Sequence, residues 1–112
     1  MSIKLPPRIA AFMEAKSSGD RQAFVACFAE EAVVYTEGQE FRGKEAIRQW
    51  FENSAKFKNQ YLVMGFRAKR QESILSARVS GDFTGSPQLL DYFFTTQAGL
   101  ITSLRILARE DL

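Results

Sequence analysis

The chain has no histidine and only one cysteine, Cys27. Lack of imidazole removes the usual general base near neutral pH, the common Ser-His and Cys-His nucleophile pairs, and most zinc sites. A lone cysteine cannot close an intrachain disulfide, so a reducing compartment is permitted. Cys27 lies in an apolar helical pattern and reads as a small core residue rather than a nucleophile. No apolar stretch is long enough for a membrane span, and MSIKLPPRIAAF has no secretory-signal core, so the expected location is cytoplasmic. Neither a glycine-rich phosphate loop nor carboxylates at ligand spacing occur, and neither cofactor nor metal is expected. Charge is nearly balanced: 15 Lys and Arg against 13 Asp and Glu leave a formal +2. The basic stretch RAKR at 67–70 would alternate across the two faces of a strand, so no nucleic-acid partner is expected.

What the chain does have is aromatic rings. Ten Phe, three Tyr and one Trp in 112 residues are enough both to fill a core and to line a cavity, and residues 1–112 read as one domain. Pro6 and Pro7 precede a helical pattern in which Ile9, Phe12, Met13 and Lys16 share one side, three of them apolar. Gly19 suits the C-terminal cap of that helix and Asp20 the N-cap of the next, which is expected to run to about Phe28. AVVYTEG reads as a short strand entering a turn at Gly38. Gly43 then precedes a third helix, KEAIRQWFENSAKF, with Ala46, Ile47, Trp50 and Phe51 on its apolar stripe.

Beyond the third helix the period changes from 3.6 to 2. Four strand-like runs follow, YLVMGFRAKR, SILSARVSGDF, QLLDYFFTTQ and ITSLRILARE, separated by turn residues at 71–72, 83–87 and 97–99. Three helices followed by an antiparallel meander is an α+β layout, with a curved sheet wrapped around the helices. In the second run Leu75, Ala77, Val79 and Gly81 share one face and Ser76, Arg78, Ser80 and Asp82 the other. In the last, Leu104, Ile106 and Ala108 oppose Ser103, Arg105, Leu107 and Arg109. The third run offers Leu89, Asp91 and Phe93 against Leu90, Tyr92 and Phe94, and alternation alone does not choose between them. One apolar sheet face remains after the helices dock, and a homodimer through it is the simplest use of that face.

The order FAEEAVVYTEG, FRGKEAIRQWF and QAGLITSLRILARED resembles the nuclear-transport-factor-2-like superfamily, in its SnoaL-like and ketosteroid-isomerase-like branch. The resemblance covers nearly the whole chain. It implies a cone-shaped, cystatin-like α+β fold with a pocket between the concave sheet and the helices, and a dimer joined through the other sheet face. It also implies that Leu89, Asp91 and Phe93 face inward, with Asp91 as a pocket acid that, kept protonated, donates a hydrogen bond to an oxyanion, as in ketosteroid isomerase. The oxyanion-binding tyrosine of those enzymes falls on Phe12 and the proton-shuttling aspartate on Thr36, so ketosteroid isomerisation by that mechanism is not expected.

Two readings follow. In the first the protein is an isomerase or cyclase for a small, flat, mostly apolar carbonyl compound, with Asp91 stabilising an enolate and Glu37 supplying a carboxylate from the loop. In the second it is a non-catalytic ligand-binding or dimerisation module. The pocket residues expected in either case are Phe12, Thr36, Trp50, Phe51, Val79, Phe93 and Leu104, with Phe28 and Phe57 as further aromatics. Asp91 has other readings too: a structural carboxylate paired with Tyr61, a backbone N–H or an arginine, or a residue of the dimer interface.

Overall fold

The structure is a computed structural model, and it describes residues 4–54, 59–82 and 84–109. Phe57, the stretch of the third helix expected beyond Ser54, and Phe83 in the expected 83–87 turn lie outside the described residues.

Helix α1 (Pro7–Ser18) starts with proline in its first turn and stops at Gly19, whose φ of 77° places it in the left-handed region and whose N–H bonds Ala15 O at 2.9 Å. Asp20 caps α2 (Arg21–Ala26), its carboxylate accepting from Ala23 N at 3.1 Å. Helix α2 ends two residues before the expected Phe28. Phe28 pairs with Ile101, and Ile101 N donates to Cys27 O at 2.9 Å, so strand pairing claims the segment that helical spacing had suggested. Strand β1 (Phe28–Thr36) is therefore longer than AVVYTEG implied. It turns through Glu37 and Gly38 into β2 (Gln39–Arg42), a four-residue strand too short to show periodicity. Helix α3 (Lys44–Ser54) follows.

The meander is as expected: β3 (Gln60–Ala68), β4 (Ser73–Ser80), β5 (Gln88–Gln97) and β6 (Leu100–Ala108). The six strands lie in the order β2-β1-β6-β5-β4-β3, all neighbours antiparallel except β1 and β6, which run parallel. The three helices pack on one face of this curved sheet.

Phe12 lies at the centre of the core. Its ring centroid is 5.2 Å from those of Phe24 and Phe94, 6.0 Å from Phe28 and 6.1 Å from Tyr92, mostly edge-on as aromatic quadrupoles prefer. Leu75, Ala77, Val79, Leu104 and Ile106 supply the sheet side, which agrees with the faces read for β4 and β6. For β5 the helix-facing set is Leu90, Tyr92 and Phe94, with Tyr92 and Phe94 fully buried. The inward placement of Leu89, Asp91 and Phe93 is thus corrected. The register sets Asp91 opposite Ser76 on β4 and Leu107 on β6, both members of the outer faces, and a one-residue difference in parity moves every side chain of a strand to the other face.

Candidate functional site

Between the sheet and the helices, at the end where β1 and β6 finish and β5 begins, lies an open cavity of about 380 Å³. Helix α1 contributes Lys16 to its lining, α3 contributes Trp50, and the sheet contributes Tyr61, Val79, Leu90, Tyr92 and Ile106. Thr36, Glu37 and Gly38 of the β1–β2 turn also line it, as do Asn59 and Gln88.

Lys16 is the residue that sequence reasoning missed. It occupies the apolar side of α1, one turn beyond Phe12 and Met13, and a cation at such a position is the signal that could have singled it out. Its Nζ lies 4.9 Å from the ring centre of Trp50, 5.5 Å from Tyr61 and 5.9 Å from Phe24, within the range of cation–π attraction. Among the described residues no ion pair includes it. Desolvation without a compensating carboxylate disfavours the charged form and pushes its pKa down from 10.5 to about 8.

The two phenols of the cavity shift the opposite way for the same reason. Burial raises Tyr61, with the neighbouring Asn59 amide opposing it, and burial raises Tyr92 far more, helped by the proximity of Tyr61. Both stay protonated at any ordinary pH. Among the described residues the Tyr92 hydroxyl makes no hydrogen bond to protein, and the buried side chain borders the cavity. The side-chain oxygen of Asn59 is also buried without a partner among the described residues. It packs against Gly81, where a Cβ would collide with it.

The predicted site residues divide sharply. Thr36, Trp50 and Val79 line the cavity. So does Glu37, for a local reason: β1 ends at Thr36, and Glu37 and Gly38 take φ values of 52° and 74°, a two-residue turn that re-aims the glutamate away from the strand's alternation. A left-handed conformation is unfavourable for glutamate by about 1 kcal/mol. Phe12, Phe28 and Leu104 are sealed in the core and do not line the cavity. Phe51 is buried in the core, stacked on Phe24 at 4.3 Å, and does not line the cavity. Phe93 is on the outer sheet face, under the Arg105 guanidinium at 4.7 Å.

Asp91 is on that outer face as well, so it is not a pocket acid. Arg109 donates to it twice, Nη2 to Oδ1 at 2.8 Å and Nε to Oδ2 at 3.2 Å. Ser76 Oγ donates to the same Oδ1 at 2.7 Å. This is the arginine-paired structural carboxylate among the readings above. Tyr61, on the inner face, is not its partner. Among the described residues no group of three or more Cys, Asp or Glu is placed to hold a metal ion, and no helix is long and apolar enough to cross a membrane.

A cone of three helices on a curved, mostly antiparallel sheet, with a cavity at its open end, defines the cystatin-like, nuclear-transport-factor-2-like class of α+β folds. Within it the chain belongs to the SnoaL-like domain family, whose model matches residues 9–103. It is similar to the solved structure of a candidate polyketide cyclase from Sinorhizobium meliloti, with 33% identity, TM-score 0.89, and coverage of 92% of this chain and 95% of that one. A ketosteroid-isomerase-like protein from Catenulispora acidiphila, solved with trimethylamine, shares the fold at 17% identity and TM-score 0.82, over 93% of this chain and 86% of that one. So does a cystatin-like protein from Methylobium petroleophilum, at 17% identity and TM-score 0.80, over 95% and 76%. No curated protein matches the chain.

Proposed function

We propose that this SnoaL-like protein binds a small, planar, mostly apolar carbonyl or phenolic compound in the cavity, and that Lys16 is its polar anchor. One observation carries the reading: an ammonium group inside an aromatic-walled cavity, in no ion pair among the described residues. Such a cation gains most from a ligand oxygen that carries or develops negative charge. The ring of Trp50 and the apolar side chains of Leu90, Val79 and Ile106 suit a flat ligand body, and the Tyr92 hydroxyl adds a neutral donor.

Chemistry of the isomerase or cyclase type is the activity this arrangement best supports. Lys16 would stabilise an enolate oxygen, and Glu37, at the turn, is the one carboxylate among the described cavity residues able to take the α-proton. The likeness at 33% identity to a candidate polyketide cyclase supports the same direction. The substitutions at Phe12 and Thr36 favour the alternative, a binding module without turnover. Titration with a fluorescent planar phenol, comparing the native protein with Lys16→Met, tests the binding on which both depend.

The outer sheet face supports a homodimer. Leu62, Met64 and Leu107 are more than half exposed there, beside Phe93, and Arg78, Arg105 and Arg109 lie among them. A second copy of the chain would bury these apolar groups while keeping the Asp91–Arg109 pair intact.

A further inference from the structure

We infer that the Lys16 amine captures the carbonyl group of an aromatic aldehyde or ketone as an imine inside the cavity. The inference rests on the binding reading above and goes beyond it by making the anchor covalent.

Three features of the cavity carry it. First, Nζ stands 4.9 and 5.5 Å from the rings of Trp50 and Tyr61, both of which line the cavity, and 5.9 Å from the buried Phe24 ring behind them, so the walls that hold a flat carbonyl compound also adjoin the amine. Second, no ion pair among the described residues fixes the ammonium, so no salt bridge has to break before the lone pair is used. An apolar pocket is one of the two settings in which lysine becomes a nucleophile. Third, two phenols that stay protonated, Tyr61 and Tyr92, line the same cavity and can donate hydrogen bonds to the reacting oxygen. With its pKa near 8, a substantial minority of Lys16 carries a free amine at neutral pH, against well under one in a hundred for an ordinary lysine. Glu37, in the β1–β2 turn, is the other charged residue among the described residues that line the cavity.

The step balances with no further reactant than a proton. The amine lone pair forms a bond to the carbonyl carbon, the carbonyl π pair moves to oxygen, and that oxygen takes up a proton while nitrogen loses one. A second proton, taken from water in the open cavity, lets the hydroxyl depart as water while the C=N bond forms and leaves the nitrogen as a protonated imine. One amine, one carbonyl and one proton give one protonated imine and one water, with no change of oxidation state. The protonated imine is a stronger electron sink than the parent carbonyl, which suits removal of an adjacent proton.

The test is reductive trapping of the native protein with 2-naphthaldehyde and cyanoborohydride at pH 7, followed by peptide mapping. Labelling of Lys16 at least about tenfold faster than any other lysine is expected. Labelling spread evenly over the surface lysines overturns the inference. Binding of 2-naphthol, which has no carbonyl, is measured alongside in the native protein and in Lys16→Arg, which keeps the charge and cannot form the imine. Naphthol binding without selective trapping removes the imine and keeps the charge-anchored pocket. Absence of naphthol binding as well removes the pocket reading itself. Because the decisive trapping is done on the native chain, a variant that fails to fold does not affect the outcome.

Discussion

Asp91 and Arg109 form a two-pronged ion pair on the outer face of the sheet, at 2.8 and 3.2 Å, with Ser76 donating to the same carboxylate at 2.7 Å. The aspartate side chain is 19% exposed and the arginine 42%, so the pair is partly screened by solvent. Asp91→Ala is expected to lower stability by about 1 kcal/mol and to leave ligand binding in the cavity unchanged within about twofold. Urea unfolding and phenol titration of the same preparation check both halves. A loss of binding without loss of stability would contradict the placement of Asp91.

Lys16 makes stability depend on pH in a stated direction. In the unfolded chain its amine keeps the ordinary value of 10.5, and in the folded chain it sits at about 8. Between those values the unfolded state holds the extra proton, so stability rises with pH across that window. Below about pH 8 the full cost of the desolvated charge is present, at most about 3 kcal/mol. Lys16→Met is expected to raise the melting temperature at pH 7 by on the order of 5 °C and to flatten the profile from pH 8 to 10.5. Thermal unfolding across pH 6 to 10.5 reads both effects.

Gly81 is held small by Asn59. A Cβ there would meet the Asn59 side-chain oxygen and lie 3.3 Å from Asn59 Cα. Gly81→Ala is expected to cost about 1–3 kcal/mol and to disturb the cavity wall that Asn59 supplies. The double variant Gly81→Ala with Asn59→Ala should recover part of that loss, because the closest colliding atom is gone while the backbone contact remains. A thermodynamic cycle from denaturant unfolding measures the coupling.

The outer face makes a prediction about assembly. Leu62→Glu combined with Leu107→Glu places carboxylates where apolar side chains are 56% and 51% exposed. A dimer in sedimentation equilibrium that becomes a monomer in this variant, with the monomer still folded, is the expected result. A native protein that stays monomeric up to high micromolar concentration would contradict the dimer.

The caps at Gly19 and Asp20, the third helix and the meander were legible because each rests on local chemistry or on a long period. Strand β2 was not: four residues show no period, and it exists through pairing with β1. The end of α2 was misplaced because Phe28 satisfies helical spacing and strand pairing alike. Faces of β4 and β6 could be read from polar alternation, whereas β5 is aromatic on both sides. Only the register with Ser76 and Leu107 settled it, and register is a long-range property. That single parity carried the largest error, since Asp91 drew attention as the lone acid in an aromatic run. The cation that reaches the cavity stood in plain view on the apolar side of α1, where a charged residue among Phe12 and Met13 needed the same question asked of it.

The central claim is that Lys16, and not Asp91, anchors ligands in the cavity. Its most direct measurement is the dissociation constant of a planar phenol for the native protein, Lys16→Met and Asp91→Ala, with Trp50 fluorescence as the readout. A loss of about tenfold or more in Lys16→Met, with Asp91→Ala unchanged, is the predicted result. Equal affinity of Lys16→Met and native protein, or a loss confined to Asp91→Ala, would contradict it.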